Sequence, residues 1–211
     1  NFSPNVYEAA TRILPTALGF LLTASSPKRI LKNLPKLPNI DDAVLVQGEV
    51  DQIRRLSQIG TVILTPTHVS NFDSIVLGYT IYKMGLPPFV YGAGLNLFSN
   101  PLLGFFLDHL GAYTVDRRKQ DPLYKHVLKT YATLTLEHGC HNLFFPGGTR
   151  SRSGALERRL KLGLLSTGLN AYINNLKANK KQPKIFIIPA TLSYQLVLEA
   201  GQVVQVPQRI G

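Results

Sequence analysis

The chain has 211 residues, 45% of them hydrophobic and 17% charged, a balance that suits one folded domain and excludes a disordered or low-complexity chain. Twenty-three lysines and arginines against twelve acids leave a formal charge of +11, which implies attraction to phosphates, acidic carriers or anionic bilayers without choosing among them. A single cysteine, Cys140, excludes an intrachain disulfide and a thiolate zinc cluster, and is expected to be a small buried side chain.

Residues 13–27 are uncharged but fall short of the roughly 20 residues that span a bilayer, and Pro15 interrupts them. This N-terminal segment reads as helical, either lying on a membrane surface or packed on the domain's own core. Residues 27–42 hold Pro27, Pro35 and Pro38 with four basic residues and little periodicity, and read as a linker. The division expected is therefore 1–42, a helical segment and linker, and 43–211, an α/β domain whose C-terminus is open to truncation.

From residue 60 onward, short apolar runs alternate with longer amphipathic stretches, the pattern of an α/β fold. TVILT (61–65), FVYGA (89–93), AYTV (112–115), NLFF (142–145) and KIFIIPA (184–190) read as strands. Helices are expected over about 72–84, 101–110, from Pro122 to the Glu137-His138-Gly139 stop, and near 163–178. The sheet is expected to be mixed but mostly parallel, flanked by helices. Residues 84–107, though uncharged, are broken by prolines and glycines, so neither they nor the N-terminus reads as a transmembrane helix.

Four stretches could carry chemistry. In TPTHVSNFDS (65–74), His68 falls at the end of a strand and Asp73 in the first turn of the next helix, where open α/β sheets place their ligand crevices. A carboxylate there can bond one imidazole nitrogen and leave the other to take a proton. The same residues also form a capping box, S-x-x-D, in which Asp73 satisfies backbone donors. FFPGGTRSRSG (144–154) follows a strand with glycines, hydroxyls and two arginines, reading either as an anion loop or as a solvated basic turn. GAYTVDRR (111–118) places Arg117 after a strand, and IIPATLSY (187–194) is a strand in which Pro189 is expected to break the pairing. Arg158, Arg159 and Lys161 read as surface charge extending the positive field.

In this order and spacing the blocks resemble the glycerolipid acyltransferase family, over residues 61 to about 200. His68 and Asp73 fit its H-x-x-x-x-D block, Gly111 and Arg117 its second, Phe145, Pro146, Gly148, Thr149, Arg150 and Ser151 its F-P-E-G-T-R-S block, and Pro189 its fourth. The run Ser151-Arg152-Ser153-Gly154, and Leu192-Ser193-Tyr194 with Glu199, look most similar to the glycerol-3-phosphate branch. Dihydroxyacetone-phosphate and lysophosphatidate acyltransferases are the alternatives.

The resemblance implies transfer of a fatty acyl group from a coenzyme A or acyl-carrier-protein thioester to a hydroxyl of a phosphorylated acceptor, in phospholipid biosynthesis. His68 would act as general base and Asp73 would orient it; Arg117, Gly147, Gly148, Thr149, Arg150, Ser151 and Arg152 would bind substrate, chiefly its phosphate. No metal or cofactor beyond the acyl donor is implied. Cytoplasmic placement with peripheral contact to an anionic membrane is expected. One position departs from the family pattern: Gly147 stands where the family has glutamate, removing a carboxylate that could bind a substrate hydroxyl or orient an arginine.

Two other classes compete. A non-catalytic module binding anionic membrane or nucleic acid would use the charge excess and be indifferent to His68; nucleic acid is disfavoured because the basic residues are not interleaved with aromatics and tryptophan is absent. A hydrolase would use water at the same dyad, but no G-x-S-x-G elbow is present.

Overall fold

The computed structural model describes residues 2–12, 44–70, 73–95, 98, 101–116, 118–148, 150–151 and 160–194. The segments read above as a membrane-facing or packed helix (13–27) and a linker (27–42) lie outside them. Residues 4–12 are helical (α1) and are followed in the described chain by α2 (Val50–Ile59), β1 (Thr61–Pro66), α3 (Asp73–Lys83) and β2 (Val90–Gly94). Then come α4 (Pro101–His109), β3 (Ala112–Val115), α5 (Pro122–Glu137), β4 (Asn142–Leu143), α6 (Ser166–Lys177) and β5 (Ile185–Ala190). No helix among the described residues is long and apolar enough to cross a membrane.

The five strands form one sheet in the order β3-β2-β4-β1-β5, and every pairing among them is parallel. β1 lies inside the sheet and is buried on both faces, as its unbroken apolar sequence requires. Its successive side chains divide between two cores. Val62 and Leu64 pack with Leu77, Ile81 and Leu143, and with Ile53 and Leu56 of α2. Ile63 points the other way, to Leu136 of α5 and Ala171 of α6. Helices therefore cover both faces, with α2 and α3 on one and α5 and α6 on the other.

Local chemistry explains the boundaries. Asp121 caps α5 by accepting from the Tyr124 N–H at 3.0 Å, and Pro122 sits in the first turn, where its missing N–H costs nothing. The helix stops at Gly139, whose φ of 77° is the left-handed conformation glycine adopts without penalty. α2 is tied to the end of α3 by Arg54, whose Nε donates to the Met84 carbonyl at 2.7 Å. It adds a helix to those expected, and Val50, Ile53 and Leu56, which face the core amid charged residues, recur at the spacing of an amphipathic helix.

Two expectations are corrected. Pro189 does not break the pairing: Thr65 lies opposite Pro189 and Pro66 opposite Ala190, and the Thr67 N–H still donates to the Ala190 carbonyl at 3.1 Å. Among the described strands β5 is at the edge, so no further described neighbour needs the donor that proline lacks. Cys140 is exposed, because it lies just past the stop of α5 and not on a strand.

Candidate active site

The strand order decides what meets. From β1 the chain moves through α3 to β2 on one side, and from β4 it moves through α6 to β5 on the other. Neighbouring strands whose connections leave in opposite directions open a crevice at their carboxyl ends. That crevice lies between β1 and β4, with β5 beside it, and the sequence places His68 after β1, the loop starting at Phe145 after β4, and Tyr194 after β5.

His68 and Asp73 meet: His68 Nδ1 lies 2.7 Å from Asp73 Oδ2. The same oxygen accepts from the backbone N–H of Val69 at 2.7 Å and of Ser70 at 3.0 Å. The capping role and the dyad are thus one arrangement, not rivals, since the helix entry that needs a cap also turns the carboxylate toward the imidazole. Asp73 Oδ1 accepts from the Tyr194 hydroxyl at 2.7 Å. The Asp73 side chain is fully buried, whereas His68 keeps 16% exposure. Burial by itself would raise the Asp73 carboxyl, but the hydrogen bonds from His68, Ser70, Tyr194 and Val69 outweigh it and hold it below its ordinary value. An ionised carboxylate on Nδ1 fixes the Nδ1–H tautomer and leaves Nε2 as the free base.

The His68 ring is also held on its face. Phe145 stacks on it with centroids 4.2 Å apart and planes 26° from parallel. Phe145 is placed by the strand before it, since the Phe144 N–H donates to the Leu64 carbonyl at 2.9 Å and carries the β1–β4 alignment past Leu143. The loop then turns: the Gly148 N–H donates to the Phe145 carbonyl at 3.0 Å, and Gly148 takes a φ of 71°. A β-carbon at Gly148 would meet the outer part of the Lys161 side chain at 2.7 Å, which can swing aside, so it is the left-handed φ that calls for glycine there. The Lys161 N–H donates to the Pro146 carbonyl at 2.6 Å, and the Ser151 N–H donates to the His68 carbonyl at 2.7 Å. Lys161 therefore braces the loop as well as contributing charge.

Of the residues expected to bind substrate, Gly147, Gly148, Arg150 and Ser151 belong to this loop beside the dyad. Thr149, Arg152 and Arg117 lie outside the described residues, as do Arg158, Arg159 and Glu199. The strand preceding Arg117, β3, stands three places from β1, about 14 Å at the usual strand spacing. Two residues of the site were not foreseen in their roles, Phe145 as the ring's stacking partner and Tyr194 as a donor to Asp73. Among the described residues, no group of three or more His, Cys, Asp or Glu side chains could hold a metal ion.

Comparison with known proteins identifies the family. Residues 47–193 match the family model described as Acyltransferase. The chain is 34% identical over 153 residues to the glycerol-3-phosphate acyltransferase of Aeromonas hydrophila, covering 72% of this chain and 18% of that protein. It is 32% identical over 161 residues to that of Ectopseudomonas mendocina, covering 76% and 18%. The chain thus spans about 18% of the length of the curated relatives it matches. Among solved structures it is similar to the 1-acyl-sn-glycerophosphate (LPA) acyltransferase PlsC of Thermotoga maritima, at 13% identity and a TM-score of 0.40, covering 88% of this chain and 83% of that one. The dyad, the glycine-arginine loop and all five strands fall within residues 47–193, and the chain belongs to the acyltransferase family.

Proposed function

We propose that this chain carries the acyl-transfer site of a glycerol-3-phosphate O-acyltransferase. The observation that carries the reading is the 2.7 Å contact between His68 Nδ1 and the buried Asp73 carboxylate, which leaves Nε2 basic at the mouth of the crevice. The names of the curated relatives support the acceptor.

In the proposed reaction the acceptor hydroxyl gives its proton to His68 Nε2 as its oxygen bonds to the thioester carbonyl carbon. The tetrahedral adduct collapses with cleavage of the carbon–sulfur bond, and the imidazolium returns the proton to the departing thiolate. Asp73 stabilises the imidazolium between those steps. No covalent acyl-enzyme is required. Arg150, with Arg117 and Arg152, takes the acceptor phosphate, and the backbone of Gly147, Gly148, Thr149 and Ser151 shapes the loop around it. The donor is a coenzyme A or acyl-carrier-protein thioester, and the lipid product favours work at the surface of an anionic membrane on its cytoplasmic side.

The test is an acceptor panel. The chain is incubated with a labelled acyl thioester and separately with glycerol 3-phosphate, dihydroxyacetone phosphate, lysophosphatidate or buffer. Label is expected to appear in an ester of glycerol 3-phosphate. Preference for another acceptor moves the chain to that branch, and thioester loss indifferent to any acceptor makes it a hydrolase.

A further inference from the structure

The fourth sequence block has a part in the site that its composition does not reveal. β5 runs parallel to β1 in register through Ala190, and beyond the strands the alignment continues: the Leu192 N–H donates to Thr67 Oγ1 at 2.9 Å. Thr67 immediately precedes His68, so the segment after β5 is pinned one residue from the base. Two residues further on, Tyr194 packs against Val76 and Tyr79 of α3 and donates its hydroxyl to Asp73 Oδ1 at 2.7 Å. The two carboxylate oxygens thus have separate duties. Oδ2 faces His68 and the N–H groups of Val69 and Ser70, while Oδ1 faces the phenol.

We infer that Tyr194 is a positioning residue of the His68–Asp73 dyad, fixing the rotation of the Asp73 carboxylate so that Oδ2 stays presented to His68 Nδ1. The inference rests on the acyl-transfer reading for its consequence in catalysis, but the tie itself does not. A buried carboxylate is held in one rotation only when donors are fixed on both of its oxygens. The backbone donors on Oδ2 belong to the same turn as Asp73 and move with it. Tyr194 comes from 121 residues away and is anchored to a different strand, so it gives the carboxylate an external reference.

The variant Tyr194→Phe keeps the ring in its apolar cluster and removes only the hydroxyl. Two readouts are taken on the full 211-residue chain. The first is the proton resonance of His68 Nδ1–H, assigned by its loss in His68→Ala, which reports the bond to Asp73 directly. It is expected to move upfield and broaden in Tyr194→Phe, because the carboxylate is no longer held with Oδ2 toward Nδ1. The second is acyl transfer, where kcat should fall about tenfold, in line with partners that orient a working group, while the acceptor KM changes less than about twofold. A resonance that stays at its wild-type position or moves downfield overturns the inference, even if the rate falls, since Tyr194 would then not be what holds Oδ2 toward His68. Should the wild-type chain transfer no acyl group, the functional reading fails while the resonance still decides the role of Tyr194.

Discussion

The backbone N–H of Ser151 donates to the carbonyl of His68 at 2.7 Å, joining the glycine-arginine loop to the residue that carries the base. Because this bond is made by main chain on both sides, no substitution at either position deletes it except proline at Ser151, which would remove the donor. The spacing between the glycine-arginine loop and His68 is consequently a property of the sheet, set by β4 lying beside β1. Under the proposed function, a phosphate held by the loop would bring a neighbouring hydroxyl to the imidazole without further search.

Arg150 should therefore act on the acceptor and not on the thioester. Arg150→Ala is expected to raise the KM for glycerol 3-phosphate about tenfold or more, the loss of a charge-assisted hydrogen bond, and to leave the thioester KM within about twofold. Initial rates with each substrate varied in turn decide the matter, and equal effects on both would remove Arg150 from the phosphate.

Asp73 is fully buried and surrounded by donors, so Asp73→Asn removes the charge that strengthens four hydrogen bonds and leaves one acceptor oxygen where two are used. The fold should lose about 2–3 kcal/mol at neutral pH. The folded carboxyl titrates below its ordinary value, so its stabilisation is complete above about pH 4 and is lost as pH falls through the folded value. Denaturant melts of the two proteins should accordingly converge in acid; a gap that stays constant down to low pH would assign the loss to shape alone.

His141 supplies a second pH dependence at a higher range. Its Nδ1 accepts from the buried Val62 N–H at 3.0 Å, which requires that nitrogen to be unprotonated, and burial lowers its pKa from the ordinary 6.5. Stability from His141 is full above about pH 6.5 and declines as pH falls from there toward the folded value. His141→Gln keeps an acceptor but cannot titrate, so its melting temperature should vary less than that of the wild type between neutral pH and about pH 5. Parallel curves for the two proteins would exclude His141 as the source.

Gly60 is a packing constraint. A β-carbon there would lie 2.5 Å from the carbonyl oxygen of Lys184, the same oxygen that accepts from the Thr61 N–H at 3.0 Å. Backbone cannot yield as a side-chain tip does, so Gly60→Ala is expected to cost about 1–3 kcal/mol and to loosen the start of the β1–β5 pairing. Thermal denaturation and hydrogen exchange at Thr61 and Phe186 check both effects.

The loop glycines separate in role. Gly148 has the left-handed φ of 71°, so alanine there should strain the loop and weaken acceptor binding. Gly147 precedes that position, and Gly147→Glu is expected to leave stability within about 0.5 kcal/mol while changing the acceptor KM or preference.

Much of this site was written in the sequence because it depends on local order. Strands such as Thr61–Pro66 and Ala112–Val115 are apolar runs bounded by glycine or proline, and His68 and Asp73 fall five residues apart across a strand-to-helix junction. What was not legible depends on register between distant strands. Tyr194 reaches Asp73 only because β5 aligns with β1, and Phe145 reaches His68 only because β4 does so on the other side. Pro189 misled for a related reason: its effect on pairing is set by whether its strand is at the edge of the sheet, which composition does not state.

The most direct test of the account is the rate of labelled acyl transfer from a thioester to glycerol 3-phosphate by the wild-type chain and by His68→Ala, with folding of both checked by circular dichroism. The account predicts an acylated glycerol phosphate from the wild type and a fall in kcat of about 10²- to 10⁴-fold in the variant, whose fold is unchanged. Transfer that continues at the wild-type rate in His68→Ala, or that neither protein performs, would contradict it.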